Sequence, residues 1–284
     1  MQSSRVVAHP VLVRQRFRQL AGLPDEQLDL VEASLLIAQE DHPRLDIGHY
    51  LEQVESWTES VRGRVGGRND VEAIVEALNR VLYEEEGFHG QDDDYYDPRS
   101  ALISELLDRH AGLPITLSIL YLELSRRIGA EVTGISIPGR MLVKFTGDFG
   151  TVVVDPFEGG RVLSAIELQQ LLDNVYGGGV RLRERHLRSF SRHAILGREL
   201  SQLKAAYLAQ HDLPRAAASI DRLLILDDRD AYEVRDRAAL AMQMHAYAVA
   251  VECLERYLAL MPDAGDSVRA REQIVYLRAW LDQN

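Results

Sequence analysis

Apolar positions in the first half of the chain recur every three or four residues, the spacing that turns one face of a helix into a core. "LDLVEASLLIAQEDHP" (28–43) carries this pattern and stops before Pro43. "DIGHYLEQVESWTESVRGRVGG" (46–67) repeats it at Ile47, Leu51, Val54 and Val61, and Gly66-Gly67 marks its end. "DVEAIVEALNRVLYEEEG" (70–87) opens on an Asp cap and closes near Gly87. A turn-rich loop, "FHGQDDDYYDPRS", follows. "SALISELLDRHAG" predicts another helix, with Ser100 as its N-cap and Gly112 as its stop. In "LPITLSILYLELSRRIG", Pro114 falls in a first helical turn, where its missing N–H costs nothing. Ile115, Leu117, Ile119, Leu120 and Leu124 make that helix apolar on most sides, so it is predicted to be buried.

After Gly129 the period changes. "EVTGISI" and "SIPGRMLVKFTGDFGTVVVDPFEGG" (136–160) form a β-region. In the second stretch two apolar runs flank the polar turn "TGDFG", which predicts a hairpin. Arg140 enters that hairpin and Asp155 leaves it. "SAIELQQLLDNVYGGG" is a short helix after Ser164, closed by glycines.

From about Ala194 the pattern is helical to the end, and it repeats. Ile220 matches Leu254, Arg222 matches Arg256, Leu224 matches Leu258, Leu226 matches Leu260 and Ala216 matches Ala250. The offset is 34 residues, the period of tetratricopeptide helix pairs. Pro262 stands where such a repeat ends in proline. Antiparallel helix pairs are expected here, and a division into residues 1–193 and residues 194–284 follows from the change of pattern.

Composition narrows the function. The net charge is −12 and the pI about 5.2, so the chain repels phosphate backbones and anionic membrane surfaces at long range. "RLRERHLRSFSRH" (181–193) is the basic exception, and it lacks aromatics interleaved for base stacking. It reads as a solvated face or a helix entry. No nucleic-acid or membrane partner is expected. A single cysteine, Cys253, allows no disulfide framework within the chain. Arginines and Pro10 interrupt the first apolar residues, which gives no signal-peptide core, and no run approaches the ~20 residues that span a bilayer. A cytoplasmic location is the expectation.

Motifs for common chemistries are missing: no HExxH, GxSxG or GxxxxGK[ST]. "DDDYYD" (92–97) lacks the mid-loop Gly and closing Glu of a calcium loop and reads as solvated. No cofactor and no metal are expected. Cys253 sits in "AVECLERYL", where an inert, packed thiol is the reading. One layout carries chemistry. A buried helix beginning at "GLPITLS" offers free N–H groups and positive potential, and two adjacent strands follow. Such a layout suits a nucleophile, a base and an orienting carboxylate.

"LLIAQEDHPRLDIGHYL", "EGFHGQDDDYYDPRSALISELLDRHAGLPITLSILYLELSRRIG", "GISIPGRMLVKF" and "VVDPFEGGRVLS" together resemble the bacterial SirB-one family over nearly the whole chain. The resemblance implies an α+β fold: a transglutaminase-like, papain-like core with N-terminal helices, then an all-α region of tetratricopeptide-like repeats. The wider superfamily uses Cys, His and Asp. On this resemblance the nucleophile's place is held by Pro114, and the base's place, where related proteins read "PGHFLV", by Arg140. Asp155 alone keeps its type. Proline carries no nucleophile, and an arginine is too basic to act as a general base.

The resemblance thus implies a degenerate site and a protein that binds partners through its C-terminal helical repeats. The rival reading is a hydrolase or acyl-transfer enzyme that uses Thr116 or Ser118 as nucleophile, His110 as base and Asp155 as support. Against it, hydroxyls near a helix start commonly bond local backbone, and a histidine near a helix end is commonly a solvated residue that the helix dipole favours. The resemblance also places Arg140 beside Asp155. A bidentate, partly buried ion pair is the expectation, with Asp155→Asn or Arg140→Ala lowering the melting temperature.

Overall fold

The apolar run after Leu113 becomes the helix around which the first part of the molecule is built. A computed structural model describes residues 7–68, 70–91, 97–137, 139–147 and 150–283. Its contacts divide the chain into two compact units, residues 1–199 and residues 200–284.

In the first unit the helices are α1 (Pro10–Ala21), α2 (Leu30–Asp41), α3 (Ile47–Val65), α4 (Val71–Asn79), α5 (Ile103–Arg109), α6 (Pro114–Arg127) and α7 (Ala165–Tyr176). Side-chain caps start several of them: Asp29, Asp46 and Asp70 accept N–H bonds at the heads of α2, α3 and α4. Gly66 ends α3 in the left-handed region, as the Gly-Gly stop predicts. The expected helix over 70–87 divides in two: after α4, residues Arg80–Glu85 form a π-helical turn. Ser164 and Glu167 form a reciprocal capping box at α7.

Two boundaries differ from the expectation. Ser100 is no cap: it lies in a 3-10 turn, Pro98–Ala101, and α5 starts later from Leu102. Gly112 does not end α5 either. His110 does so, at φ 55°, which frees Ala111–Gly112 (β2) to pair in parallel with His89–Gly90 (β1). A left-handed His is uncommon, so a pattern reading assigns the stop to the nearby glycine instead.

The main sheet is antiparallel in the order β6-β5-β4-β3-β7. Its strands are β3 (Val132–Ile137), β4 (Arg140–Gly147), β5 (Gly150–Asp155), β6 (Arg161–Leu163) and β7 (Ser189–Phe190). The predicted hairpin is β4–β5, with Val143 opposite Val154 and Gly147 opposite Gly150. Alternation gives the sheet two covered faces. Helix α6, buried along Ile115–Ser125, packs on β4, where Tyr121 meets Phe145 edge-on. On the other face Ile135, Ile137, Leu142, Val153 and Leu163 pack with Leu168 and Leu172 of α7. Each such side chain contributes about 1.5–3 kcal/mol when withdrawn from water.

A buried ion cluster fastens the helices behind the sheet. The Glu123 carboxylate, fully buried on α6, accepts bonds from Arg126 (2.8 Å), from Arg192 and from the Leu30 amide (3.3 Å). Arg127 adds Asp29 at 2.8 Å and Glu55 at 3.1 Å. Arg192, part of the basic stretch, therefore serves as a structural clamp.

Helix α8 (Arg192–Ala209) contains the division between the units. In the second unit follow α9 (Leu213–Leu226), α10 (Ala231–Gln243), α11 (Tyr247–Leu260) and α12 (Ser267–Leu281). The bounds of α9 and α11 differ by 34 residues at both ends. His211 and His245, also 34 apart, take the same left-handed turn at φ 57° and 58°. Ala216 and Ala250, matched in the sequence, are both buried, as are Ile220 and Leu254. Arg222 and Arg256 differ: Arg222 is buried, and Arg256 is exposed and bonds the Asp228 carbonyl. Lys204 reaches Glu233 at 2.7 Å and Asp236 at 3.0 Å.

Candidate functional site

Helix α6 begins as the sequence predicts, with Leu113 as N-cap and Pro114 at the first position. Pro114 is half-buried and brings no reactive group to the helix head. Two residues on, the Thr116 hydroxyl donates to the Leu113 carbonyl at 3.1 Å. The Ser118 hydroxyl donates to the Met141 carbonyl of β4 at 2.6 Å. Both residues are fully buried. Each hydroxyl proton is thus directed at backbone, not at a base.

His110 is held elsewhere. Its ring stacks on Phe88 with centroids 4.4 Å apart and meets the edge of Trp57 at 6.1 Å. Its Nδ1 bonds the Glu86 carbonyl, which can only accept, so Nδ1 carries the proton. Neither Thr116 nor Ser118 is among its partners; His110 joins the π-helical segment to the head of β2.

Asp155 and Arg140 stand at the ends of the paired strands β5 and β4 without bonding each other. Asp155, 1% exposed, caps the 3-10 turn Pro156–Glu158: its Oδ1 accepts the Phe157 amide at 3.0 Å. Burial raises its carboxyl above the ordinary carboxylate value, while the Arg140 charge and the Phe157 amide work the other way. The Arg140 guanidinium lies 4.3 Å over the Phe157 ring and donates through Nη2 to Glu158 at 3.0 Å. The bidentate Arg140–Asp155 pair expected from the resemblance is therefore replaced by an Arg140–Glu158 pair. The turn after Asp155 places Glu158 under the guanidinium and turns the Asp155 carboxylate onto its own backbone.

The surroundings lock this turn. Phe157 presses on β1, where a Cβ on Gly90 would lie 2.7 Å from the ring. A Cβ on Gly112 would lie 2.7 Å from both Thr116 Oγ1 and Leu106 Cδ1. The Tyr83 hydroxyl donates to the Pro156 carbonyl at 2.7 Å. Asn79 donates to the Gly160 carbonyl at 2.9 Å and accepts from Tyr121 at 3.0 Å. Burial pushes the Tyr83 and Tyr121 hydroxyls well above 10, so both stay neutral donors. Sequence reasoning missed Gly90, Asn79, Tyr83 and Glu158. Gly90, in a stretch that reads as a turn-rich loop, gave no sign of the close approach to Phe157. Asn79 and Tyr83 left none either, since each lies inside an ordinary helical pattern.

Other candidates fall outside this cluster. Cys253 is half-buried on α11, and burial pushes its thiol up. Of the acidic run "DDDYYD", Asp92–Tyr96 lie outside the described residues; Asp97 caps its own 3-10 turn and pairs with Arg99 at 2.7 Å. Among the described residues, no group of three or more His, Cys, Asp or Glu side chains is placed to hold a metal ion. No helix among them is long and apolar enough to cross a membrane.

The arrangement of a buried helix head facing an antiparallel hairpin agrees with a comparison across families: residues 48–201 match the transglutaminase-like superfamily. This chain belongs to that superfamily. Residues 203–275 of the transglutaminase-like protein match the tetratricopeptide repeat. A UPF0162 protein of Xylella fastidiosa is 34% identical over 264 residues, covering 92% of this chain and 94% of that protein. A UPF0162 protein of Vibrio cholerae is 31% identical over 251 residues, covering 86% and 92%. F-box only protein 21 of Mus musculus shares 30% identity over 107 residues, or 35% of this chain and 17% of that one. The transglutaminase-like chain is thus an α+β core followed by helical repeats, shared along its length with bacterial UPF0162 proteins.

Proposed function

We propose that this protein is a non-catalytic member of its superfamily that acts as a protein-binding, regulatory scaffold, with residues 194–284 as the binding part. The observation that carries this reading is the head of α6: Pro114 stands there, and the nearby Thr116 and Ser118 hydroxyls are both committed to backbone carbonyls. Arg140 supports it, because its charge is engaged by Glu158 and it cannot take up a proton as a base. Tetratricopeptide repeats generally mediate protein–protein interaction, and stacked helix pairs offer an extended surface for it. The resemblance to the SirB-one family adds a regulatory role in a bacterial cytoplasm to the proposal.

Two measurements test it. Hydroxyl-directed and thiol-directed acylating probes, applied to the full-length protein, are expected to leave Thr116 and Ser118 unmodified and to label Cys253 no faster than an ordinary half-buried thiol. Stoichiometric labelling of Thr116 or Ser118 would establish the enzyme reading instead. Affinity capture followed by carboxylate-directed cross-linking is expected to map partners onto residues 203–275. Cross-links confined to residues 48–201 would reject the repeats as the binding part.

A further inference from the structure

Helix α12 exposes a stripe that the repeat register marks as an interface. Val268, Val275 and Tyr276 are 65%, 69% and 70% exposed. Thirty-four positions earlier stand Val234, Ala241 and Met242 of α10. There Val234 and Ala241 are 0% exposed, packed in one cluster with Ala250, Val251, Leu254 and Tyr257 of α11. Val268 and Val275 thus stand open where α10 is covered, while Ala238, buried between Val234 and Ala241, has Glu272 as its counterpart on α12. The opposite side of α12, through Ala270, Ile274 and Leu277, is already packed in the same cluster. A groove of about 500 Å³ beside Tyr276, lined also by Met242, Tyr247, Glu272 and Leu277, extends the open stripe.

Charge repeats in the same register. Arg235 of α10 reaches Asp266, the N-cap of α12 after the loop that follows α11, at 3.5 Å, and Tyr257 of α11 donates to that carboxylate at 2.6 Å. The equivalent residue on α12 is Arg269. It is exposed, and no carboxylate among the described residues pairs with it. We propose that this face docks an amphipathic helix of a partner protein. That helix presents small and apolar side chains to Val268 and Val275 and a polar one to Glu272, and the segment that follows it carries a carboxylate to Arg269. A second copy of this chain is the poorer occupant, because two bodies of net charge −12 repel each other. The proposal rests on the scaffold reading above and adds the partner's chemistry and the helix that receives it.

The chain itself supplies the probe. A fluorescein-labelled peptide of residues 246–266, with Cys253→Ser, carries α11 and Asp266 together. Titrated with the full-length protein and read by anisotropy, it is expected to bind saturably. Val275→Glu is expected to weaken binding by about tenfold or more, as a charge set in the middle of an apolar contact does. Arg269→Glu is expected to weaken it too, and an Asp266→Lys peptide to recover part of that loss. Circular dichroism confirms that these exposed substitutions leave the fold intact. Absence of saturable binding, or equal binding by Val275→Glu, overturns the proposal. A concentration-dependent dimer in sedimentation that Val275→Glu abolishes overturns it as well, by giving the face to a second copy. If captured partners still cross-link to the repeats in Val275→Glu, the scaffold reading stands and the α12 face alone falls.

Discussion

Replacing Asp155 by asparagine removes a buried charge and keeps the oxygen that the Phe157 amide uses. Burial, ahead of the opposing Arg140 charge and Phe157 amide, raises the Asp155 carboxyl above 3.8. The folded protein thus holds that proton more tightly than the unfolded chain. Its contribution to stability is full at pH below 3.8 and is lost as pH rises through the folded value. Because Asp155 caps backbone and is not paired with Arg140, the loss expected for a broken ion pair is reversed: Asp155→Asn cannot ionise, so it is expected to gain on the parent across that window and to melt no lower near neutral pH. Asp155→Ala, which loses the cap, is expected to cost about 1 kcal/mol. Thermal melts of the three proteins as a function of pH check both statements; a clearly lower melting temperature for Asp155→Asn near neutrality would show that the charge itself is required. Glu123 is the opposite case. Its fully buried carboxylate is ringed by Arg126, Arg127 and Arg192, so Glu123→Ala takes the carboxylate from the largely buried Arg192 and the acceptor from the Leu30 amide, while Arg126 and Arg127 keep Asp29. The expected loss is about 3–5 kcal/mol, read from urea unfolding with an unchanged denaturant slope. The charge pattern of the sequence contained Asp155 and Arg140 but not their partners. The pairing depends on where a tight turn sets Glu158, a matter of a few ångströms that residue types do not fix.

At the scale of elements, the turn after β5 is held from α4 and its π-helical extension. Gly160 takes φ 72°, and a Cβ there would fall 1.8 Å from Asn79 Oδ1. Gly159 has nearly the same φ, 71°, and open space around it. Gly159→Ala is expected to cost about 1–2 kcal/mol, the strain of a left-handed conformation. Gly160→Ala carries the same strain and also drives Asn79 from Tyr121 and the Gly160 carbonyl. Its expected cost is at least about 2 kcal/mol more. Chemical denaturation of the pair separates backbone strain from packing; equal losses would show that Asn79 yields freely. Helices such as α2, α3 and α7 were legible in the sequence because apolar face and stop lie within one local stretch. The ends of α5 were not, because a left-handed His110 and the parallel pairing of Ala111–Gly112 with His89–Gly90 are set by a strand distant in sequence.

For the molecule as a whole, Cys253 tests whether any thiol chemistry survives. Its thiol is half-buried and raised above 9.0, by burial first. Alkylation near pH 8 is expected to be slower than that of a free cysteine, and Cys253→Ala to leave partner binding unchanged. Timed thiol titration with and without denaturant measures this; fast labelling of the folded protein would contradict it. What the sequence determined by itself were the features written in local or periodic code. Helix faces, caps, the hairpin, the buried α6 and the 34-residue repeat are set by spacing, and spacing survives any arrangement in space. That Pro114 brings no reactive group to the head of α6 was also legible, because a side chain without a reactive atom is inert wherever it lies. Only the tertiary structure decided what the remaining polar groups do. It gave Arg140 to Glu158, Asp155 to the Phe157 amide, Thr116 and Ser118 to backbone carbonyls and His110 to Glu86. It also left Val268 and Val275 open where Val234 and Ala241 of α10 are covered. The physical reason is range: hydrogen bonds and close packing are settled within a few ångströms, and those distances exist only after remote segments have been brought together.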